Sequence, residues 1–154
     1  MQKFQAIIET PFAKLGVQAQ NDSITSIDFM VSSLEKPFFS SGLTEFLAHQ
    51  IGCYLQNPLH KFEMSLLPDG TEFQKSVWQI MQTIEAGNTL SYGDVALMLN
   101  SSPRAVGNAC RRNPIPLLIP CHRIVAKNGL GGFAGQTKGS VFDIKRWLLN
   151  HEAQ

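Results

Sequence analysis

The spacing of apolar side chains changes character near residue 68. Before it the period is mostly two. Residues 4–10 form a β-rich run, and Ser23-Ile24-Thr25-Ser26-Ile27-Asp28-Phe29 alternates polar with apolar, as a half-buried strand does. Pro11-Phe12 and Asn21-Asp22 punctuate this strand-forming region. Residues 37–42 read as a loop. Residues 43–55 read as a helix burying Phe46, Ile51 and Leu55, and residues 62–66 alternate again, as a strand returning to the sheet. Pro68-Asp69-Gly70 is a turn signal, and it divides the chain into residues 1–67 and residues 68–154.

After that turn the period is helical. Thr71 and Gln74 form a capping box ahead of an apolar stripe of Phe73, Val77, Trp78, Met81 and Ile84. Glu85-Ala86-Gly87-Asn88 ends that helix. Ser91 and Asp94 open a short second helix that runs to about Leu99. A third follows Asn100-Ser101-Ser102, takes Pro103 at its first position and ends at Asn113-Pro114. A last helix, capped by Ser140 and Asp143, buries Val141, Ile144, Trp147 and Leu148. The short helix, tight turn and third helix together read as a helix-turn-helix. The side chains of the third helix are small or basic. Small residues let a helix approach DNA closely, and arginines reach phosphates or wedge into the base stack.

Charge sharpens this picture. The chain has 154 residues, a formal net charge of +1 and 44% hydrophobic residues, which excludes a disordered main state. Its longest apolar run, residues 115–120, is far below the roughly 18 residues of a transmembrane helix, so no membrane partner is expected. The N-terminal residues show no secretory signal pattern, and three cysteines without framework spacing point to a reducing, cytoplasmic setting. The charge is unevenly spread. Between Asp94 and Asp143 there is no acidic residue, while Arg104, Arg111, Arg112, Arg123, Lys127 and Lys138 all fall there. A basic interval in a near-neutral chain points to an anionic partner, nucleic acid first.

The chemistry concentrates at Pro120-Cys121-His122-Arg123, behind a backbone stiffened by Pro114, Pro116 and Pro120. A thiol beside a histidine and an arginine has a route to a lowered pKa, since positive charge favours the thiolate. The imidazole can instead act as base, directly or through a water. A buried structural cysteine is the plainer alternative. A metal site is not expected: the nearest other thiol is Cys110, with no Cys-x-x-Cys pair, and His49 with Cys53 is a lone i, i+4 pair.

The run Arg111-Arg112-Asn113-Pro114-Ile115-Pro116, followed by Pro120-Cys121-His122-Arg123-Ile124-Val125, resembles the active-site signature of the O6-alkylguanine-DNA alkyltransferases. These are the methylated-DNA–protein-cysteine methyltransferases. The resemblance extends to Ser91-Tyr92, Arg104-Ala105-Val106-Gly107, Gly131-Gly132-Phe133-Ala134-Gly135 and Trp147-Leu148-Leu149, and covers residues 71–152. It implies an α+β fold, with a small ribonuclease-H-like α/β domain over residues 1–67. A mostly helical, winged-helix-like domain over residues 68–154 would bind DNA and accept the alkyl group. Cys121 would be the acceptor, His122 its base through a water, and Glu152 the group that orients His122. Asn113 would tie the turn of the motif, and Tyr92 would donate its phenol proton to guanine N3. The substrate base would be flipped out of duplex DNA from the minor groove, with Arg104 filling the gap. Ala105, Gly107, Arg111, Arg112 and Arg123 would lie against DNA, and Phe133 and Ala134 over the flipped base. The resemblance implies a monomer without cofactor that acts once, since a thioether at Cys121 is a poor leaving group.

The chain departs from the family pattern at Gln136, in the longer connection over residues 136–140, and at Cys110. Three rival readings share parts of the pattern. A lesion-sensing relative would lack the motif cysteine, which is present here. A helix-turn-helix regulator would read the major groove through polar side chains. A cysteine hydrolase would usually bring its histidine from far along the chain.

Overall fold

The computed structural model describes residues 4–30, 33–129, 131 and 140–153. The alternating N-terminal pattern folds into β1 (Ala6–Glu9), β2 (Lys14–Gln20) and β3 (Ser23–Met30). They lie in one antiparallel sheet of order β3-β2-β1-β4, closed at one edge by β4 (Phe38–Phe39). β1 pairs with β2 through Ala6 opposite Val17 and Ile8 opposite Leu15, which puts four buried side chains on one face. Asn21, at φ 55°, takes the left-handed turn between β2 and β3 that asparagine tolerates.

α1 (Gly42–Gln56) starts at Ser41, whose hydroxyl accepts from the Thr44 N–H in a reciprocal capping box. It buries Leu47, Gln50, Ile51 and Tyr54, the i, i+3, i+4, i+7 face of a helix. α2 (Glu72–Thr83) opens on the Thr71–Gln74 box and buries Val77, Trp78 and Met81. β5 (Leu90–Ser91) leads into α3 (Tyr92–Met98), capped by Ser91 and Asp94. α4 (Pro103–Arg111) is capped by Ser102 and takes Pro103 in its first turn. A 3-10 turn holds Cys121–Arg123, and β6 (Ile124–Val125) then pairs in parallel with β5. α5 (Ser140–Glu152) completes the five helices among the described residues. None of them is long and apolar enough to cross a membrane.

Five local expectations need correction. Residues 37–42 carry the short edge strand β4, because Phe38 and Phe39 find partners in Ile7 and Ala6. Residues 62–66 form no strand. Their alternation persists as half-buried Phe62, Met64 and Leu66, but a single parallel bridge joins Leu66 to Ile24. Phe46 is 45% exposed, since it lies off the face that α1 buries. α4 ends at Arg111 rather than Asn113, and Ser140 is the first residue of α5 rather than the residue before it.

One apolar core runs through both parts of the chain. It joins Leu15, Val17, Ile24 and Ile27 of the sheet to Trp78, Val106, Ile115, Ile119 and Leu148. A hydrogen bond and a ring contact join the two parts as well. The Ile27 N–H donates to the Pro114 carbonyl at 2.9 Å, and the rings of Phe12 and Trp147 stand 5.0 Å apart. The sheet therefore backs directly onto the segment that leads to Cys121, and α1 onto the end of α5.

Candidate active site

The site is built on the turn between α4 and β6. Asn113 spans it: its side-chain N–H donates to the Ile119 carbonyl at 2.8 Å, and its Oδ1 accepts from the Ile115 N–H at 3.0 Å. Leu117, inside this turn, is buried and sits at φ 78°, a left-handed geometry that costs a branched residue of order 1–3 kcal/mol. Prolines at 114, 116 and 120 and the Asn113 clamp hold it there. The same Asn113 side chain favours the thiolate form of Cys121.

Cys121 is only 6% exposed, on the first residue of the 3-10 turn. Burial pushes its thiol up to about 11, against the opposing pull of the Asn113 side chain and the Lys145 charge. Of the two readings of the motif, a lowered thiol pKa or an imidazole acting as base, this favours the second. The arginine charge is spent elsewhere, and His122 is neutral, because burial holds its pKa below the ordinary imidazole range despite Glu152. The resting protein therefore holds a protonated thiol that needs a base.

His122 is fully buried, and its Nε2–H donates to Glu152 Oε2 at 2.6 Å. That bond leaves Nδ1 as the unprotonated ring nitrogen, and Nδ1 has no hydrogen-bond partner among the described residues. It is a free acceptor next in sequence to the thiol. Glu152 is 3% exposed. Burial opposes its charge, but hydrogen bonds and charge from His122 and Arg123 hold its carboxyl below the usual carboxylate range.

Arg123 does not lie on an outer face. Its Nε and Nη2 donate to the two Glu152 oxygens at 2.8 and 3.1 Å, and Nη1 donates to the Ile84 carbonyl at 2.6 Å. In this arrangement the guanidinium braces Glu152 of α5 against the Ile84 carbonyl at the C-terminal end of α2.

Tyr92 opens α3 and is partly buried against the core. A Cβ on Gly107 of α4 would sit 4.0 Å from its ring, an ordinary contact. At Gly131, where φ is +73°, a Cβ would come within 2.9 Å of the Tyr92 hydroxyl, so a larger residue would displace the phenol. Arg104, Arg111 and Arg112 are exposed on α4 and its C-terminal cap, while Ala105 is half-buried. Phe133, Ala134 and Gln136 lie outside the described residues.

Two functional-site neighbours escape the sequence reading. Lys145 of α5 is fully buried, with Nζ donating to the Ile124 carbonyl at 2.7 Å and standing 6.0 Å from the centre of the Tyr92 ring. Burial brings it down to about 8, with the Cys121 and Cys110 thiols acting in the other direction. The signal was available: Lys145 shares the helical stripe of Ile144, Leu148 and Glu152, where a lysine is out of place. The second is Tyr54, 98 residues from Glu152, whose hydroxyl donates to Oε2 at 2.6 Å. No local pattern could have shown that contact.

The family model for the DNA-binding domain of 6-O-methylguanine DNA methyltransferase matches residues 72–154. A methylated-DNA–protein-cysteine methyltransferase of Methanosarcina acetivorans is 36% identical over 157 residues, covering 97% of this chain and 97% of its own. That of Methanocaldococcus jannaschii is 56% identical over 79 residues, 51% of this chain and 47% of the relative. The crystal structure of Mycobacterium tuberculosis OGT in complex with DNA superposes with a TM-score of 0.77 and 31% identity, covering 96% of this chain and 91% of that one. Sequence and structural likeness thus converge on the same half of the chain that holds Cys121, and extend over nearly all the rest: the chain belongs to the methylated-DNA–protein-cysteine methyltransferase family.

Proposed function

We propose that this protein repairs DNA by taking the alkyl group from O6 of guanine onto Cys121, with O4-alkylthymine as a second substrate to be tested. The observation that carries the reading is the buried pair next to the thiol: His122 with an open Nδ1, backed by an ionised Glu152. A buried thiol at about 11 is inert until a base acts on it, which suits a protein that must ignore other electrophiles. His122 Nδ1 takes the thiol proton through a bridging water. The sulfur lone pair then forms a bond to the alkyl carbon as the carbon–O6 bond breaks. The electron pair of that bond leaves with the guanine, which takes a proton at N3 from Tyr92. The product is a thioether, whose thiolate is a poor leaving group from the alkyl carbon, so each molecule acts once and needs no cofactor.

The base reaches the thiol by leaving the duplex. The α3–α4 helix-turn-helix enters the minor groove, Arg104 fills the vacated place in the stack, and Arg111 and Arg112 hold phosphates. Half-buried Ala105 and Gly107 let α4 approach closely. Phe133 and Ala134 cover the flipped base. In this reading residues 1–67 are a ribonuclease-H-like domain, residues 68–154 a winged-helix-like one, and the protein is a cytoplasmic monomer.

The test is an intact-mass spectrum after mixing with duplex DNA carrying one O6-methylguanine, followed by peptide mapping. One methyl on the Cys121 peptide, saturating at one per protein, is the expected result. Tight lesion binding without a mass change would leave a sensing module instead, and neither binding nor mass change would send the thiol to hydrolase substrates.

A further inference from the structure

Residues 1–67 place one polar atom in the buried relay. The Tyr54 hydroxyl of α1 donates to Glu152 Oε2 at 2.6 Å, the same oxygen that His122 Nε2 reaches at 2.6 Å. Tyr54 is fully buried, and its backbone is gripped too: its carbonyl accepts from His151 Nε2 at 2.8 Å, and its ring meets His151 and Phe62 at 5.0 and 5.4 Å. The last turn of α5 therefore holds both ends of this residue. Burial first, and then the Glu152 charge, push its phenol far above the ordinary tyrosine range, so the hydroxyl remains a donor at every working pH.

We propose that Tyr54 is a positioning residue for the alkyl transfer, its hydroxyl holding the carboxylate oxygen that orients His122. The inference rests on the proposed role of His122 as the base for Cys121. A short O–H···O⁻ bond draws negative charge out of the carboxylate. With Tyr54 and His122 on one oxygen, each donor weakens the hold of the other. Removing the hydroxyl leaves Glu152 free to pull harder on His122, which favours the imidazolium. His122 also feels the charges of Lys145 from α5 and Arg123 from its own turn, and Arg123 Nη2 reaches the shared Glu152 Oε2 at 3.1 Å as a third donor, which the Tyr54 variants leave in place. The N-terminal part of the chain thus sets how readily the base gives and takes its proton.

The experiment measures the single-turnover rate of methyl transfer from O6-methylguanine duplex between pH 5 and 9. It compares wild type, Tyr54→Phe and a protein with 3-fluorotyrosine replacing Tyr54. A proton nuclear magnetic resonance titration of the His122 ring runs beside it. Tyr54→Phe moves the acid limb and the ring titration up by about half a unit to one unit, the size of one lost hydrogen bond. The fluorinated phenol donates more strongly and moves both down. Affinity for the lesion duplex stays within about twofold, because Tyr54 touches no DNA-facing residue. Identical limbs in all three proteins, or the same direction of shift in both variants, overturn the proposal, even if the rate falls. Should Tyr54→Phe not fold, the fluorinated protein decides alone, since it keeps ring and hydroxyl. A wild type that transfers nothing would refute the alkyl-transfer reading, and the ring titration would still decide whether Tyr54 acts on His122.

Discussion

Glu152 is the group on which the buried network depends, and its pairing with Arg123 allows a quantitative test. The Glu152 side chain is 1% exposed and that of Arg123 11%, and two hydrogen bonds join them. Replacing Glu152 by Gln keeps the shape but leaves the guanidinium buried without its counter-charge. Breaking a buried pair from one side costs about 3–5 kcal/mol. For a chain of this size each kcal/mol moves the melting temperature by about 2–4 °C, so the loss is about 6–20 °C. Arg123→Met costs a comparable amount, because Glu152 then keeps only His122 and Tyr54 as donors. The double variant buries neither charge. It should fall short of the summed losses by about 1–3 kcal/mol, the coupling expected of a contacting pair. Thermal and urea unfolding of the four proteins give the cycle. Losses that add to within about 0.5 kcal/mol would refute the pairing. So would an Arg123→Met protein that melts like wild type yet binds DNA with a shallower salt dependence, since that would return Arg123 to the phosphates. By contrast, Arg111→Ala should leave the melt unchanged and flatten the salt slope by about 0.9, one phosphate contact.

Cys121→Ser should abolish methyl transfer while keeping affinity for O6-methylguanine duplex in a gel-shift or anisotropy titration; loss of both in a folded protein would count against a purely chemical role. Arg104→Ala should slow repair of duplex DNA much more than reaction with the free alkylated base, and equal slowing of both would remove Arg104 from base flipping. Glu152 also sets a pH dependence of stability. Its folded pKa lies near 2, below the ordinary carboxylate value of 4.5, so between those values the unfolded chain binds more protons. Stability should be fully present above about pH 4.5 and fall as the pH drops toward 2, and Glu152→Gln should flatten that loss in melts across this range.

Much of the local structure was legible because short-range rules decide it. The boxes at Thr71–Gln74 and Ser91–Asp94, the proline opening α4 and the stripe of α2 are written in neighbouring side chains, and backbone geometry within one turn suffices to form them. The motif around Cys121 was legible for another reason: its residue types, order and spacing form a signature that carries roles with it. Where a pattern needed a distant partner, it misled. Residues 62–66 alternate like a strand but meet the sheet at one bridge, while Phe38 and Phe39 show no strand pattern and pair because β1 offers an edge. Phe46 looked like core until the rotation of α1 turned it outward.

The sequence by itself determined the order of helices, their caps, the basic face of α4 and the motif in which Cys121 stands. Only the tertiary structure decided the electrostatics of the site. The charge of Arg123 is adjacent to Cys121 in the chain, yet it is spent on Glu152 and Ile84. Lys145 and Tyr54 come from elsewhere in the chain to act on the same network. The reason is physical. A pKa depends on how far water is excluded and on which charges stand within a few ångströms, and both are set by packing between segments that sequence order leaves far apart.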